Sequence, residues 1–377
     1  MKTRVLHVIG DLGLGGAQSV LQQLWPSLCS ASNYEFDLCV LGSLGQFGRQ
    51  LVNEGATIHN FSIKRKYDPN IVLKLRKLIR AGSYKIVHAH LFPELPIVSL
   101  ATAGLKKVTT VYTEHSANNR RRNFGVIGKT FDRLAYSSYA RVIAVNNSAH
   151  ASLTTWLPEL EQKSVMIPNS VRVSNRAVAT SAERTELLGA LGLPAINPPK
   201  LLLFAVRLAH VKGADLLLRA CAELNRADYL CLIAGDGPER SALQELATTL
   251  GLNERVRFLG LRDDVPNLLR QVDILTLPSR WEGLPLIVLE AMASRCAIVA
   301  TAVDGTAEVL RHGHSALLVE PDQPTPLAGA ISQLLDSPDL RRKLAASAIE
   351  DVSGYASEEM AKRLLSLYDG IMLERTI

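Results

Sequence analysis

Two carboxylates in one short stretch carry the clearest chemical signal in this chain. They are Glu282 and Glu290, within Ser279-Arg280-Trp281-Glu282-Gly283-Leu284-Pro285-Leu286-Ile287-Val288-Leu289-Glu290. The apolar run Val272 to Leu277 just before it reads as a buried strand. Pro285 stands where a helix begins, since its fixed φ and missing N–H suit a first turn. The order strand, loop, helix puts Glu282 in the loop at the positive end of that helix. Free backbone N–H groups and the macrodipole there favour phosphate or sugar oxygens. Glu290 falls inside the helix, between an apolar run and Ala291-Met292-Ala293, where an unpaired charge is costly. Its hydrogen-bond donors come either from an Arg of a neighbouring element, as a structural salt bridge, or from the hydroxyl groups of a ligand.

Cations stand at a second strand end. Val206-Arg207-Leu208-Ala209-His210-Val211-Lys212-Gly213 sets two of them five residues apart in a loop ahead of a helix. Arg offers a planar fork and Lys a point charge. Together they suit a diphosphate and would neutralise a nucleotide leaving group, the alternative being solvated surface charge. Gly235-Asp236-Gly237-Pro238 and Val303-Asp304-Gly305-Thr306 are small-residue turns at further strand ends. Near the start, Gly10-Asp11-Leu12-Gly13-Leu14-Gly15-Gly16-Ala17-Gln18 has glycine enough for backbone N–H groups to approach a phosphate before a helix starting near Ala17. It does not give G-x-G-x-x-G, and the second strand ends Val40-Leu41-Gly42-Ser43 without the acid a dinucleotide site needs. In Thr113-Glu114-His115-Ser116, His115 sits at a strand's carboxyl end, as a sugar-hydroxyl partner or a structural residue. His88 and His90 read as packing or loop-ordering residues.

The elements that must position these groups follow from hydropathy. Continuous apolar runs at Val5–Ile9, Phe36–Leu41, Thr57–Ile63, Ile86–His90, Val108–Thr113, Val142–Val145 and Val165–Ile167 alternate with helix-length segments. Strands apolar along their whole length are buried on both faces, so the pattern predicts an α/β fold with a parallel, doubly wound sheet. A segment rich in Ser, Ala, Asn and Pro interrupts it. The pattern restarts at Leu201–Val206, Tyr229–Ala234, Val256–Leu259, Val272–Leu277, Ala297–Ala300 and Ala316–Val319. Two Rossmann-like domains are therefore expected, at 1–175 and 200–356, joined by a linker at 176–199 and followed by an amphipathic helix at 357–377. Their strand ends would line a cleft.

Composition narrows the class. The chain has 377 residues, 47% of them apolar, enough for two ordinary domains. No apolar run reaches the roughly 18 to 20 residues of a membrane span, and Met1-Lys2-Thr3-Arg4 leads straight into a strand rather than a signal peptide, so a cytoplasmic location is expected. Five scattered cysteines fit buried thiols better than a disulfide or metal framework.

With Glu282 and Glu290 separated by seven residues, Arg207, Lys212-Gly213, Gly15-Gly16-Ala17, Gly235-Asp236-Gly237-Pro238, Ile167-Pro168-Asn169-Ser170 and the terminal helix, the chain resembles family 4 of the retaining glycosyltransferases, of GT-B fold, over nearly its whole length. The resemblance implies two Rossmann-like domains with parallel sheets facing across a cleft, the first on the acceptor side and the second binding a nucleotide sugar. It implies that Arg207 and Lys212 grip the diphosphate, Glu290 takes the ribose hydroxyls, and Glu282 with Gly283, Leu284 and Pro285 contacts the transferred sugar. Gly15, Gly16 and Ala17 would lie near the phosphates, Gly235, Asp236 and Gly237 in the donor site, and His115 near the reacting carbon. Ser170 departs from the family's usual glycine after Asn169.

The expected reaction is retaining transfer from a nucleotide sugar, UDP by family frequency with GDP as the other choice, to a lipid-linked or polysaccharide acceptor. No Asp-x-Asp sequence occurs, and two cations can take a metal's place, so no metal and no cofactor are expected. A nucleotide-sugar 2-epimerase and a catalytically silent nucleotide-sugar-binding subunit are the alternatives. Charge divides unevenly. Residues 1–175 hold 21 Lys and Arg against 10 Asp and Glu, and the remainder 21 against 26. The excess gathers at Lys64-Arg65-Lys66, at Lys74, Arg76, Lys77 and Arg80 beside an apolar face of Ile71, Leu75, Leu78 and Ile79, and at Arg120-Arg121-Arg122. The helix expected around Lys74 to Arg80 is either a core-packed helix with a solvated face or a surface that rests on an anionic membrane, the expected partner, rather than nucleic acid, for which the chain has no motif.

Overall fold

A computed structural model describes residues 2–64, 68–115, 119–173 and 179–375. Arg65, Lys66, Ser116, Asn118 and residues 176–178 of the expected linker lie outside the described residues. The chain forms two compact units, Met1–Ser170 with Ser357–Ile377, and Val171–Ala356.

The first unit runs β1 (Thr3–Ile9), α1 (Gly16–Cys29), β2 (Tyr34–Val40), α2 (Gly45–Asn53), β3 (Thr57–Asn60), α3 (Asn70–Ala81), β4 (Ile86–His90), α4 (Glu94–Thr102), β5 (Thr109–Glu114), α5 (Gly125–Ser137), β6 (Arg141–Ala144), α6 (Asn147–Trp156) and β7 (Ser164–Met166). All seven strands are parallel, in the order β3-β2-β1-β4-β5-β6-β7. Alternation within a strand sorts residues between the two helical layers. Leu6, Val8, Val87 and Ala89 join Ile71, Leu75, Ile79 and Val98 in one core layer, while His7 and His88 point to the other. β3 is shorter than its apolar run because Ser62, at φ 51, breaks the extended backbone. On α3, Ile71, Leu75 and Ile79 are buried one above another, as the spacing predicts, and Leu78 only partly so.

The second unit runs α7 (Ser181–Ala190), β8 (Lys200–Ala205), α8 (Ala214–Glu223), β9 (Tyr229–Ala234), α9 (Arg240–Thr249), β10 (Val256–Gly260), α10 (Val265–Gln271), β11 (Ile274–Leu277), α11 (Leu286–Ala293), β12 (Ala297–Thr301), α12 (Asp304–Ala307), β13 (Leu317–Val319), α13 (Pro324–Asp336) and α14 (Pro338–Asp351). Its six parallel strands lie in the order β10-β9-β8-β11-β12-β13. The two sheets repeat one topology. Each grows first to one side of its opening strand and then to the other, and open α/β sheets take ligands at that switch.

Part of the expected linker is ordered. Thr180 and Glu183 form a capping box that starts α7, and Leu188 of that helix is buried in the second unit's core with Val171. The final helix, α15 (Ser357–Glu374), belongs to the first unit and packs on α1 through a face that includes Leu364, Tyr368 and Ile371. Ser170 is fully buried and outside the left-handed region, so this position needs no glycine. Four cysteines are buried and Cys29 is exposed, and all are free thiols. Among the described residues no helix is long and apolar enough to cross a membrane.

Candidate active site

In the second unit, backbone hydrogen bonds tie the carboxyl-end loops of the central strands into one surface. Leu208 N–H donates to Asp236 O at 2.9 Å, joining the loops after β8 and β9, and Arg280 N–H donates to Val211 O at 2.8 Å, joining those after β8 and β11. The Thr301 hydroxyl donates to Ser279 O, adding the end of β12. Two glycines permit this closeness. Gly213 has φ 69, and a Cβ there would lie 1.9 Å from Pro278 O. A Cβ on Gly305 would lie 1.6 Å from Gly283 O.

These ties bring Arg207, Lys212, Gly235, Asp236, Gly237, Glu282, Gly283 and the start of α11 to one end of one sheet. Arg207 is exposed, and its guanidinium has no polar partner among the described residues. Lys212 Nζ donates to both oxygens of Glu282, and Ser279 Oγ donates to Oε1 at 2.6 Å. Glu282 is buried. The Asp236 carboxylate accepts from Gly237 N–H at 2.7 Å and pairs with Arg240 at 3.1 Å, which holds the turn after β9. Leu284 packs in the core, so only its backbone is available to a ligand. Pro285 caps α11 from an extended conformation instead of occupying its first turn. Glu290 is half-buried on α11, between the buried Leu289 and Ala291. Arg280 braces the loop that carries Lys212, pairing with Asp215 at 2.8 Å and Asp322 at 2.7 Å and donating to His210 O.

In the first unit, Gly15 caps α1, Gly16 and Ala17 open it, and a Cβ on Gly16 would meet nothing within 4 Å. That open helix start can admit an anion. His115 follows β5. Both its ring nitrogens are shielded from water and have no hydrogen-bond partner among the described residues, and burial pulls its pKa down to about 4. The imidazole is therefore neutral at physiological pH, able to donate or accept one hydrogen bond to a sugar hydroxyl.

Behind His115 lies a hydrogen-bonded chain that the sequence does not reveal. The His90 ring is 5.8 Å from that of His115, and His90 Nε2 meets His7 Nδ1 at 2.9 Å. Tyr368 of α15 lies 3.4 Å from His7 Nε2 and 2.6 Å from His88 Nδ1, and His88 Nε2 meets Thr113 Oγ1 at 2.7 Å. Burial lowers the pKa of His7 to about 3 and those of His88 and His90 well below the usual imidazole range, with neighbouring imidazoles adding to the last two. His7, His88 and His90 could each offer one nitrogen to an ion within 4.8 Å of the others, yet every nitrogen of His7 and His88 is already engaged. Sequence reading also passes over Glu94, whose Oε1 would lie 2.5 Å from a Cβ on Gly10, and Ser279. Both follow strand ends, the signal that finds the other residues.

Two parallel sheets of this order, each with glycine turns at its strand ends and one bearing paired cations and carboxylates, make a pair of Rossmann-like units, the second suited to a phosphorylated ligand. The family model described as Glycosyltransferase Family 4 matches residues 14–175, and that of Glycosyl transferases group 1 matches residues 193–351. The chain belongs to glycosyltransferase family 4, of GT-B fold. It is similar to an alpha-D-kanosaminyltransferase of Streptomyces kanamyceticus, 27% identical over 80% of this chain and 81% of the relative. It is also similar to an N-acetyl-alpha-D-glucosaminyl L-malate synthase of Bacillus anthracis, 26% identical over 84% and 83% of the two chains. In fold it matches the Anabaena protein Alr3699/HepE solved with UDP and glucose, with a TM-score of 0.83 at 20% identity over 97% of this chain and 99% of that one.

Proposed function

We propose that this glycosyltransferase moves a sugar from a UDP-sugar to a lipid-linked or glycan acceptor in cell-surface glycan assembly, with retention of anomeric configuration and without a required metal. The carrying observation is the second unit's loop cluster, where Arg207, exposed and unpaired among the described residues, stands with the Lys212–Glu282 pair. Arg207 and Lys212 stabilise the diphosphate as the glycosidic bond breaks, Glu290 accepts from the ribose hydroxyls, and Glu282 with the backbone at Gly283 orients the sugar. UDP is favoured over GDP by the similarity to a structure holding UDP and glucose. The acceptor hydroxyl attacks on the face the phosphate leaves, and that phosphate takes the proton. His115, neutral, positions a sugar hydroxyl. No opposed carboxylate pair of the kind retaining hydrolases use is needed in this scheme.

The first unit takes the acceptor, and its positive charge favours an anionic leaflet. The structure narrows which cations can serve there. Lys74, Lys77 and Arg80 of α3 are exposed, whereas Arg76 donates to Ala101 O and Ala103 O at the end of α4. Arg121 is committed to the buried Asp132 at 2.6 Å, and Arg122 donates to Ser152.

Incubation of the protein with single UDP- and GDP-sugars, alone and with membrane extract, tests the reading. Expected is acceptor-dependent release of UDP with a retained linkage. Conversion of the sugar without acceptor would identify an epimerase, and no conversion in any mixture a silent binding subunit.

A further inference from the structure

α5 carries two apolar faces. Gly128, Asp132, Ala135 and Tyr136 face inward, with the Asp132 carboxylate held by Arg121 and by Trp156 Nε1 at 3.0 Å. A surface helix packed in this way ordinarily presents polar residues on its other side. Here the outer side presents Ile127, Phe131 and Leu134, at intervals of four and three residues, with Val126 beside them and Phe124 just ahead of the helix. These five side chains are between 42% and 82% exposed. Single exposed apolar residues are ordinary; four of them on one helix with a fifth just before it mark a contact surface.

Charge selects the occupant. Between Asn119 and Ser138 the one acidic residue is Asp132, which is buried and paired. Lys129 and the exposed Arg133 stand beside the strip; Arg133 is bonded to Glu159 of the turn after α6, and residues 1–175 as a whole hold 21 Lys and Arg against 10 Asp and Glu. A second copy of this face would set Lys129 against its own duplicate, on two segments with the same excess of cations. An anionic bilayer would take the apolar edge among its acyl chains and the cations among its headgroups, as interfacial helices do. The strip begins at the start of α5, at the end of the sheet where His115 follows β5, so a membrane held there lies on the side of the residue assigned to the reacting sugar.

We infer that the outer edge of α5, Phe124 to Leu134, inserts into the interface of an anionic lipid membrane and anchors the enzyme there, a step that rests on and deepens the lipid-acceptor reading. Insertion adds a salt-resistant component to the salt-sensitive attraction of α3. The test is flotation of the full chain with vesicles of phosphatidylglycerol and phosphatidylethanolamine, and with phosphatidylcholine alone, across a salt series. Parallel measurements are UDP binding and oligomeric state. The parent is expected to float with the anionic vesicles and to retain part of its binding at high salt. Ile127→Ser with Phe131→Ser should lower partitioning by roughly tenfold or more, the scale of exposing two apolar side chains, with UDP binding unchanged. Ile127→Trp should show a blue-shifted emission on vesicle addition. Equal flotation of the double variant would overturn the role of α5 while leaving membrane docking intact. A parent dimer that the double variant dissolves would show that the strip joins two copies, again overturning the inference. If the parent floats with no vesicle, the inference and the membrane reading fall together, and UDP binding still reports on the donor site.

Discussion

Lys212 Nζ donates to both carboxylate oxygens of Glu282, at 2.8 and 2.7 Å, so the cation assigned to the diphosphate and the acid assigned to the sugar hold each other. Removing either therefore has two effects. Lys212→Ala should lower turnover by two or more orders of magnitude, the scale of losing a main electrostatic stabiliser. It should also destabilise the second unit by roughly 1 to 3 kcal/mol, because among the described residues the buried Glu282 then keeps only Ser279. Lys212→Met with Glu282→Gln should recover most of the stability and none of the turnover. Melting temperatures and turnover numbers of the two variants separate the effects.

Arg207 offers the cleaner experiment. It is exposed and has no polar partner among the described residues, so Arg207→Ala should leave stability within the range of ordinary surface changes, about 0.5 kcal/mol, while turnover falls about a hundredfold or more. Added magnesium should not restore the rate. Loss of the parent's activity with a chelator would end the metal-free scheme.

Glu290→Gln should weaken UDP binding by about 1 to 3 kcal/mol, because an amide accepts less strongly from two hydroxyls. Glu282→Ala should instead reduce turnover with UDP still bound. Calorimetric titration with UDP distinguishes them, and equal losses of affinity in both would refute the division of roles.

At Gly213, φ is 69 and a Cβ would lie 1.9 Å from Pro278 O. Gly213→Ala should therefore cost more than about 1 kcal/mol of stability and shift the Lys212 loop, so that the melting temperature and turnover drop together. A variant with parental stability would mean that the loops after β8 and β11 are not packed this closely.

The buried imidazoles give the first unit a pH dependence of definite sign. Each has a folded pKa below its unfolded value of 6.5, so the folded chain binds fewer protons than the unfolded one. Stability is full above pH 6.5 and is lost as pH falls below it, for His115 over the interval down to about 4. His115→Asn removes one such group without removing a hydrogen bond among the described residues. Its melting temperature should fall less steeply than the parent's across that interval, and its turnover should fall at neutral pH. Parallel melting curves would show that His115 is not held neutral by the fold.

The sequence was most legible where one strand, loop and helix carried the whole signal. Unbroken apolar strands and glycine turns located both sheets and the loops holding Arg207, Lys212 and Glu282. What depended on distant partners was hidden. Lys212 and Glu282 are 70 residues apart, and nothing in either segment indicates that they bond. Arg76 and Arg121 read as surface charge, yet one donates to α4 carbonyls and the other to a buried Asp. α7 was concealed by a composition typical of linkers, because its helix rests on one capping box and one core leucine. The outer strip of α5 was masked in the opposite way: its apolar spacing looks like a core face, and only burial shows that a different face is inside.

Tyr368 supplies the hydroxyl that His88, and more distantly His7, use inside the first sheet, although it lies 280 residues beyond His88. The second unit is one uninterrupted segment, Val171–Ala356, inserted into the first. During synthesis, therefore, the part made first is completed last. Until the final helix leaves the ribosome, buried imidazoles of β1 and β4 lack their partner and the surface of α1 that receives the helix stays uncovered, while the inserted segment already has every strand of its own sheet.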